Sequence, residues 1–85
     1  MWYIYAIYSE SSDLIYVGMS ETPDRRLIEH NTGKVKSTKA HKPWVIFYIE
    51  EVGKITEEAR KREKYYKSAA GKRILRRKLE KNSKI

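Results

Sequence analysis

The chain has 85 residues, 40% hydrophobic and 35% charged, with a formal net charge of +8, which leaves room for one domain with a thin core and no second one. It has no cysteine, which excludes disulfides and thiolate zinc sites and fits a reducing compartment. No apolar run approaches the roughly 20 residues that cross a bilayer, and the N-terminus lacks the basic segment and cleavage site of a signal peptide, so a cytoplasmic protein with no membrane partner is expected.

Residues 2–8, "WYIYAIY", are β-branched and aromatic, and "LIYVG" at 14–18 is similar. The turn-rich "SESSD" lies between them, so the unit reads as an antiparallel hairpin. The simplest four-residue loop places Tyr8 against Asp13 and Tyr5 directly opposite Tyr16, on one face of the sheet. "TPDRRLIEHNTG" has Thr22 as N-cap, Pro23 at the first helical position, and Asn31 and Gly33 as stop signals, giving a short helix over about 23–31. Arg26 and His30 share a face of it at i,i+4, and Leu27 and Ile28 are its expected core contacts. Residues 32–43 form a basic loop. "WVIFYIEE" is nearly continuously apolar, hence a strand buried on both faces or central to the sheet.

Thr56 caps the next helix, with Glu57 and Glu58 well placed for its dipole. Ala59, Glu63, Tyr66 and Ala70 form one stripe along it, while the other faces are mostly lysine and arginine. Glu63 is thus a carboxylate on the packing stripe, and burying it demands an arginine, a lysine or a metal ion as partner. Gly71 breaks the pattern, and a basic helix over about 72–82 follows, held by Ile74, Leu75 and Leu79. From residue 60 onward there are twelve basic and two acidic residues, a net +10, against −2 for residues 1–59. A one-sided basic segment is the footprint of a polyanion binder, with nucleic acid ahead of an anionic membrane surface.

The ordered set "YIY" at 3–5, "YVG" at 16–18, "RRLIEHNTGKVKSTKAHKPW" at 25–44 and "EARKREKYYK" at 58–67 resembles the GIY-YIG nucleases, in particular their small single-domain bacterial members. The resemblance covers about residues 2–80. It implies an α+β fold, a small three-stranded antiparallel sheet flanked by helices, filling one domain over residues 1–85. It implies an endonuclease hydrolysing DNA, ahead of RNA, with one Mg²⁺ or Mn²⁺ ion. The motif positions fall on Tyr5, Tyr16, Gly18, Arg26, His30 and Glu63. The resemblance implies that Glu63 is the metal ligand, Arg26 binds phosphate, Tyr5 or Tyr16 takes the proton from water, and His30 positions phosphate or relays a proton.

Phosphate contacts are expected from Lys34, Lys36, Lys39 and Lys42 in the loop, and from Lys67, Lys72, Arg73, Arg76, Arg77 and Lys78 on the C-terminal side. A protein partner supplying target choice is a further expectation. Three departures stand out. Tyr3 replaces the first glycine of the motif, Met19 stands where many active members carry a polar or basic residue, and a late asparagine of some members has no assigned counterpart, Asn82 lying too near the end. Met19 keeps open the alternative of a nucleic-acid-binding module whose catalysis has decayed. The direct competitor to metal binding is a structural ion pair between Glu63 and Arg26.

Overall fold

The computed structural model describes residues 1–83, with side chains to residue 81, so that of Asn82 lies outside the description. Strands β1 (Trp2–Ser9), β2 (Leu14–Ser20) and β3 (Val45–Gly53) are joined by helices α1 (Pro23–Asn31), α2 (Thr56–Lys67) and α3 (Ala69–Ser83), with a short 3₁₀ turn at Lys39–His41. The sheet is antiparallel in the order β2-β1-β3. This is the expected α+β fold. The expected place of the third strand is corrected. β1 is central, with Ile4, Tyr5, Ala6 and Ile7 all buried, whereas β3 is an edge strand with Val45 and Ile49 exposed. Both segments are apolar runs, and composition does not say which one the other two strands will flank.

The hairpin register also differs. Ser9 pairs with Leu14, so the loop is residues 10–13, and Tyr5 lies opposite Gly18 while Ile7 lies opposite Tyr16. Asp13 closes the turn at φ 52°, a left-handed conformation that aspartate tolerates better than most residues. Both strands are offset by one residue from the expected pairing. Side-chain alternation therefore survives, and Tyr5 and Tyr16 still share a face.

Two apolar layers result. Ile4 and Ala6 pack with Val17, Tyr66 and Leu75 beneath α2 and α3. On the other face Tyr5 and Ile7 pack with Trp44, and Tyr16, Leu27 and Ile46 flank them beneath α1. Ile28, an expected core contact, is 63% exposed, and the buried residue of α1 is His30. Leu27 and His30 are three apart and share the inward face, which leaves Ile28 outside it.

Helix α1 has its expected bounds and N-cap residue, and two later helix boundaries are corrected. Thr22 is the N-cap residue of α1, with no cap hydrogen bond from its hydroxyl, and its backbone N–H donates to Ser20 Oγ at 2.9 Å. Ile55, not Thr56, is the cap residue of α2, and the Thr56 hydroxyl accepts the Trp2 indole N–H at 3.1 Å. The chain breaks at Ser68, not Gly71. Ser68 Oγ accepts the Gly71 N–H at 3.2 Å, an N-cap for α3. Gly71 is buried inside α3, where a Cβ would strike the Tyr65 carbonyl oxygen and the Tyr66 backbone. It is a close-approach glycine rather than a terminator, and Ala70 is exposed on α3 rather than part of the α2 stripe.

Candidate active site

The sheet supplies the floor of the site. Tyr5 is 1% exposed, and its ring lies over Gly18, where any Cβ would run into the phenol oxygen. Only a residue without a side chain lets the tyrosine lie flat across the neighbouring strand. Tyr16 projects from β2 on the same face, its ring edge-on to His30 at 5.0 Å between centroids and to Trp44 at 6.4 Å. Met19 has the opposite parity and packs in the other layer, against Ile4 and Ala6. It faces away from both tyrosines, so the departure noted at this position lies outside the site.

Helix α1 forms the wall. Tyr5 Oη is 2.9 Å from His30 Nε2, and His30, completely buried, has its Nδ1 2.7 Å from Thr38 Oγ1. Burial holds the imidazole below its usual pKa, and the Arg26 charge pushes the same way against a smaller opposing pull from Glu29; the neutral ring is favoured. Arg26 donates through Nη1 to Glu29 Oε1 at 2.6 Å, and its positive charge favours the ionised form of the Tyr5 hydroxyl. Burial nevertheless dominates at Tyr5 and raises its pKa, with further repulsion from Tyr16 and Glu63. The resting group is a phenol.

Glu63 approaches from α2, close enough for its charge to act on Tyr5. Its side chain is 24% exposed, and its ion pair is a long 3.7 Å contact with Lys67 one turn away. The competing pair with Arg26 does not form, since Arg26 is engaged by Glu29. A partly buried carboxylate with one loose partner suits a Mg²⁺ or Mn²⁺ ion. Such ions keep several waters and use one or two carboxylates plus substrate phosphate. Among the described residues no three His, Cys, Asp or Glu side chains gather into a cluster, so an ion here would rest on Glu63 alone.

The five motif residues Tyr5, Tyr16, Arg26, His30 and Glu63 therefore converge from two strands and two helices. The basic residues do not form one surface. Lys34, Lys36, Lys39 and Lys42 are exposed on the loop that docks on the Tyr5 face. Helix α3 lies beneath the opposite face, where Lys72, Arg73 and Arg77 are exposed. Arg76 donates to Asp13 Oδ1 and the Asp13 carbonyl at 2.7 and 2.9 Å, and Lys78 lies over the Tyr48 ring at 4.8 Å. Lys67 is the Glu63 partner.

Sequence reasoning missed Glu29 and Thr38. A glutamate three residues after an arginine on a helix is a readable signal, but nothing local marks a threonine in a lysine-rich loop as buried. His41 ties that loop to the hairpin. Its carbonyl accepts from Ser9 Oγ at 2.6 Å and its Nδ1 meets Ser12 Oγ at 2.8 Å.

No helix among the described residues is long and apolar enough to cross a membrane. Neither the curated proteins nor the solved structures yield a match to the chain. The family model of the GIY-YIG catalytic domain matches residues 1–78.

Proposed function

This chain belongs to the GIY-YIG family, whose catalytic domain is a phosphodiester-hydrolysing nuclease, and from that premise we propose that it is a DNA endonuclease working with a single divalent ion held by Glu63. The observation that carries this reading is the convergence of a buried phenol, a neutral imidazole, a guanidinium and a loosely paired carboxylate. Those groups meet three needs of phosphodiester hydrolysis: a base for water, positive charge on the phosphoryl oxygens, and a seat for a metal.

The roles follow from each group's chemistry. Arg26 has five N–H donors in a planar fork, and those not directed to Glu29 are placed to hold a non-bridging phosphate oxygen. Tyr5 rests as a phenol, so it becomes a base only by giving up its own proton. His30 Nε2, at 2.9 Å, is placed to receive it. Water gives a proton to Tyr5 as Tyr5 passes its own to His30. The hydroxide forms the new P–O bond, the bond to the leaving sugar oxygen breaks, and that oxygen is protonated from solvent. Tyr16 packs against His30 and orients the attacking water or the phosphate. A Mg²⁺ or Mn²⁺ ion on Glu63, when bound, supplies charge stabilisation to the phosphoryl group and the leaving oxygen. Lys34, Lys36, Lys39 and Lys42 guide the phosphate backbone toward this face, and a protein partner supplies target choice.

The decayed-module alternative leaned on Met19, which faces the other layer and gives it no support. The test pairs cleavage with binding on plasmid, branched and single-stranded DNA, with Mg²⁺, Mn²⁺ or chelator. Arg26→Ala is expected to abolish cleavage and leave affinity nearly unchanged, because one phosphate contact is a small part of a basic footprint. Equal loss of both makes Arg26 a binding residue. Folded wild-type protein that is inert on every substrate with either metal removes the enzymatic assignment.

A further inference from the structure

Thr38 lies in the loop between α1 and β3 and is 1% exposed. The loop is closed around it. Asn31 Nδ2 donates to the Trp44 carbonyl at 2.9 Å and Asn31 Oδ1 accepts the Trp44 N–H at 2.6 Å. The Trp44 indole N–H donates to the Thr38 carbonyl at 3.0 Å. The Thr38 hydroxyl, held in this way, stands 2.7 Å from His30 Nδ1 and 3.3 Å from the Val35 carbonyl oxygen.

Donor counting favours one direction of the chain. A threonine hydroxyl has one proton, and a carbonyl only accepts. With its proton directed at Val35, Thr38 Oγ1 accepts from His30, which puts the ring proton on Nδ1. The other end gives the same answer. The Tyr5 hydroxyl has His30 Nε2 as its hydrogen-bond partner at 2.9 Å, so the phenol proton goes there and Nε2 accepts it. The opposite tautomer leaves the phenol proton without an acceptor and aims an N–H at the oxygen that must lose it.

We infer that Thr38 is a positioning residue for the hydrolysis, holding His30 with its proton on Nδ1 so that the bare Nε2 can take the proton of Tyr5. The inference rests on the nuclease reading for its consequence and on the hydrogen-bond chain for its geometry. In the step it serves, the Tyr5 O–H bond breaks and an Nε2–H bond forms, while Nδ1–H stays on Thr38 and stabilises the imidazolium. The ionisable groups facing the ring are Tyr5 and Tyr16 from the sheet and Arg26 and Glu29 from its own helix.

Thr38→Val keeps shape and removes the hydroxyl, and Thr38→Ser restores it. Nitrogen-15 spectra of the histidine rings in wild type are expected to show His30 neutral and protonated on Nδ1, with mixed tautomers in Thr38→Val. The kcat for DNA cleavage should fall about 10- to 100-fold in that variant, the range seen when an orienting partner is lost, with KM unchanged. The acid limb of the kcat profile should move to lower pH, because the imidazolium loses its acceptor, and Thr38→Ser should recover most of the rate. A wild-type ring protonated on Nε2 overturns the inference, as does a Val variant with unaltered tautomer and rate. Equal losses in the Val and Ser variants that track thermal stability also overturn it, since packing alone behaves that way. The ring spectrum reads the tautomer even in a protein that cleaves nothing, so failure of this inference and failure of the nuclease reading remain separate results.

Discussion

At Gly18 one hydrogen stands where any other residue would place a methyl or more. The Tyr5 ring occupies that space, with its Cζ and Cε1 at 2.5 and 2.7 Å from where a Cβ would lie. The ring cannot yield cheaply because its hydroxyl is bound to His30. Gly18→Ala is therefore expected to cost about 1–3 kcal/mol, as overpacking does, and to cut kcat more than KM. Wild-type stability and rate in that variant would show the tyrosine free to move. Glu63 calls for the opposite result. Its long i,i+4 pair with the half-exposed Lys67 is worth about 0.3–0.5 kcal/mol at most, so Glu63→Gln in chelator should melt close to wild type and still bind DNA. Added Mg²⁺ should raise the melting temperature of wild type, by mass action on the folded state, but not that of the variant, and cleavage should vanish. A variant that melts far below wild type in chelator makes Glu63 a structural partner instead. Both residues were legible in the sequence, Gly18 through its place in an ordered motif and Glu63 as a carboxylate on an apolar stripe. Thr38 was not, because its burial depends on a loop folding back through Asn31 and Trp44.

At the scale of elements, the strand and helix periods identify every segment, but not how they dock. The apolar density of β3 matched that of β1, and pairing partners decided which became central. What anchors the exposed β3 edge to α2 is a polar clasp no periodicity announces. Glu50 accepts from Arg62 Nε and Nη2 at 2.7 and 2.9 Å and from the hydroxyls of Tyr48 and Tyr66 at 2.7 and 2.6 Å. Arg62 immediately precedes Glu63, so the clasp also places the helix that carries Glu63. The Arg62 guanidinium, aided by the two phenols and opposed by burial, holds the Glu50 carboxyl down to about 2 from 4.5. A depressed carboxylate stabilises the fold fully above its unfolded pKa and loses that contribution as pH falls through the folded one. Glu50→Gln should thus cost about 1–3 kcal/mol at neutral pH, reduced by the partial exposure of Arg62. Urea unfolding from pH 7 down to pH 2 should show the gap between wild type and variant closing below about pH 4.5. A gap that is constant across that range means the carboxylate charge plays no part in the clasp.

The whole molecule divides its positive charge between two faces, and this changes what the net +8 means. Counted along the chain, the excess belongs to α2 and α3, and a linear reading makes the last helix the binding surface. In three dimensions α3 lies beneath the layer of Ile4 and Ala6, opposite the face that carries Tyr5. Arg76 is committed to Asp13 and Lys78 to Tyr48. The four loop lysines lie on the loop that docks on the face of Tyr5 and His30, and a Cβ built at Gly33, φ 80°, would meet the side chains of Lys39 and Lys42. Each phosphate contact contributes about 0.9 to the slope of log K against log salt on duplex DNA. Neutralising Lys34, Lys36, Lys39 and Lys42 with glutamine should therefore flatten the slope and reduce cleavage together, because the lost contacts deliver phosphate to Arg26. Neutralising Lys72, Arg73 and Arg77 should leave kcat intact and weaken affinity less, since a duplex seated on one face of so small a domain meets few charges on the other. Affinities measured from 50 to 200 mM salt for both sets decide the matter. If the α3 set carries the larger slope and the loop set none, the DNA wraps the far face, and the linear charge count was the better guide after all.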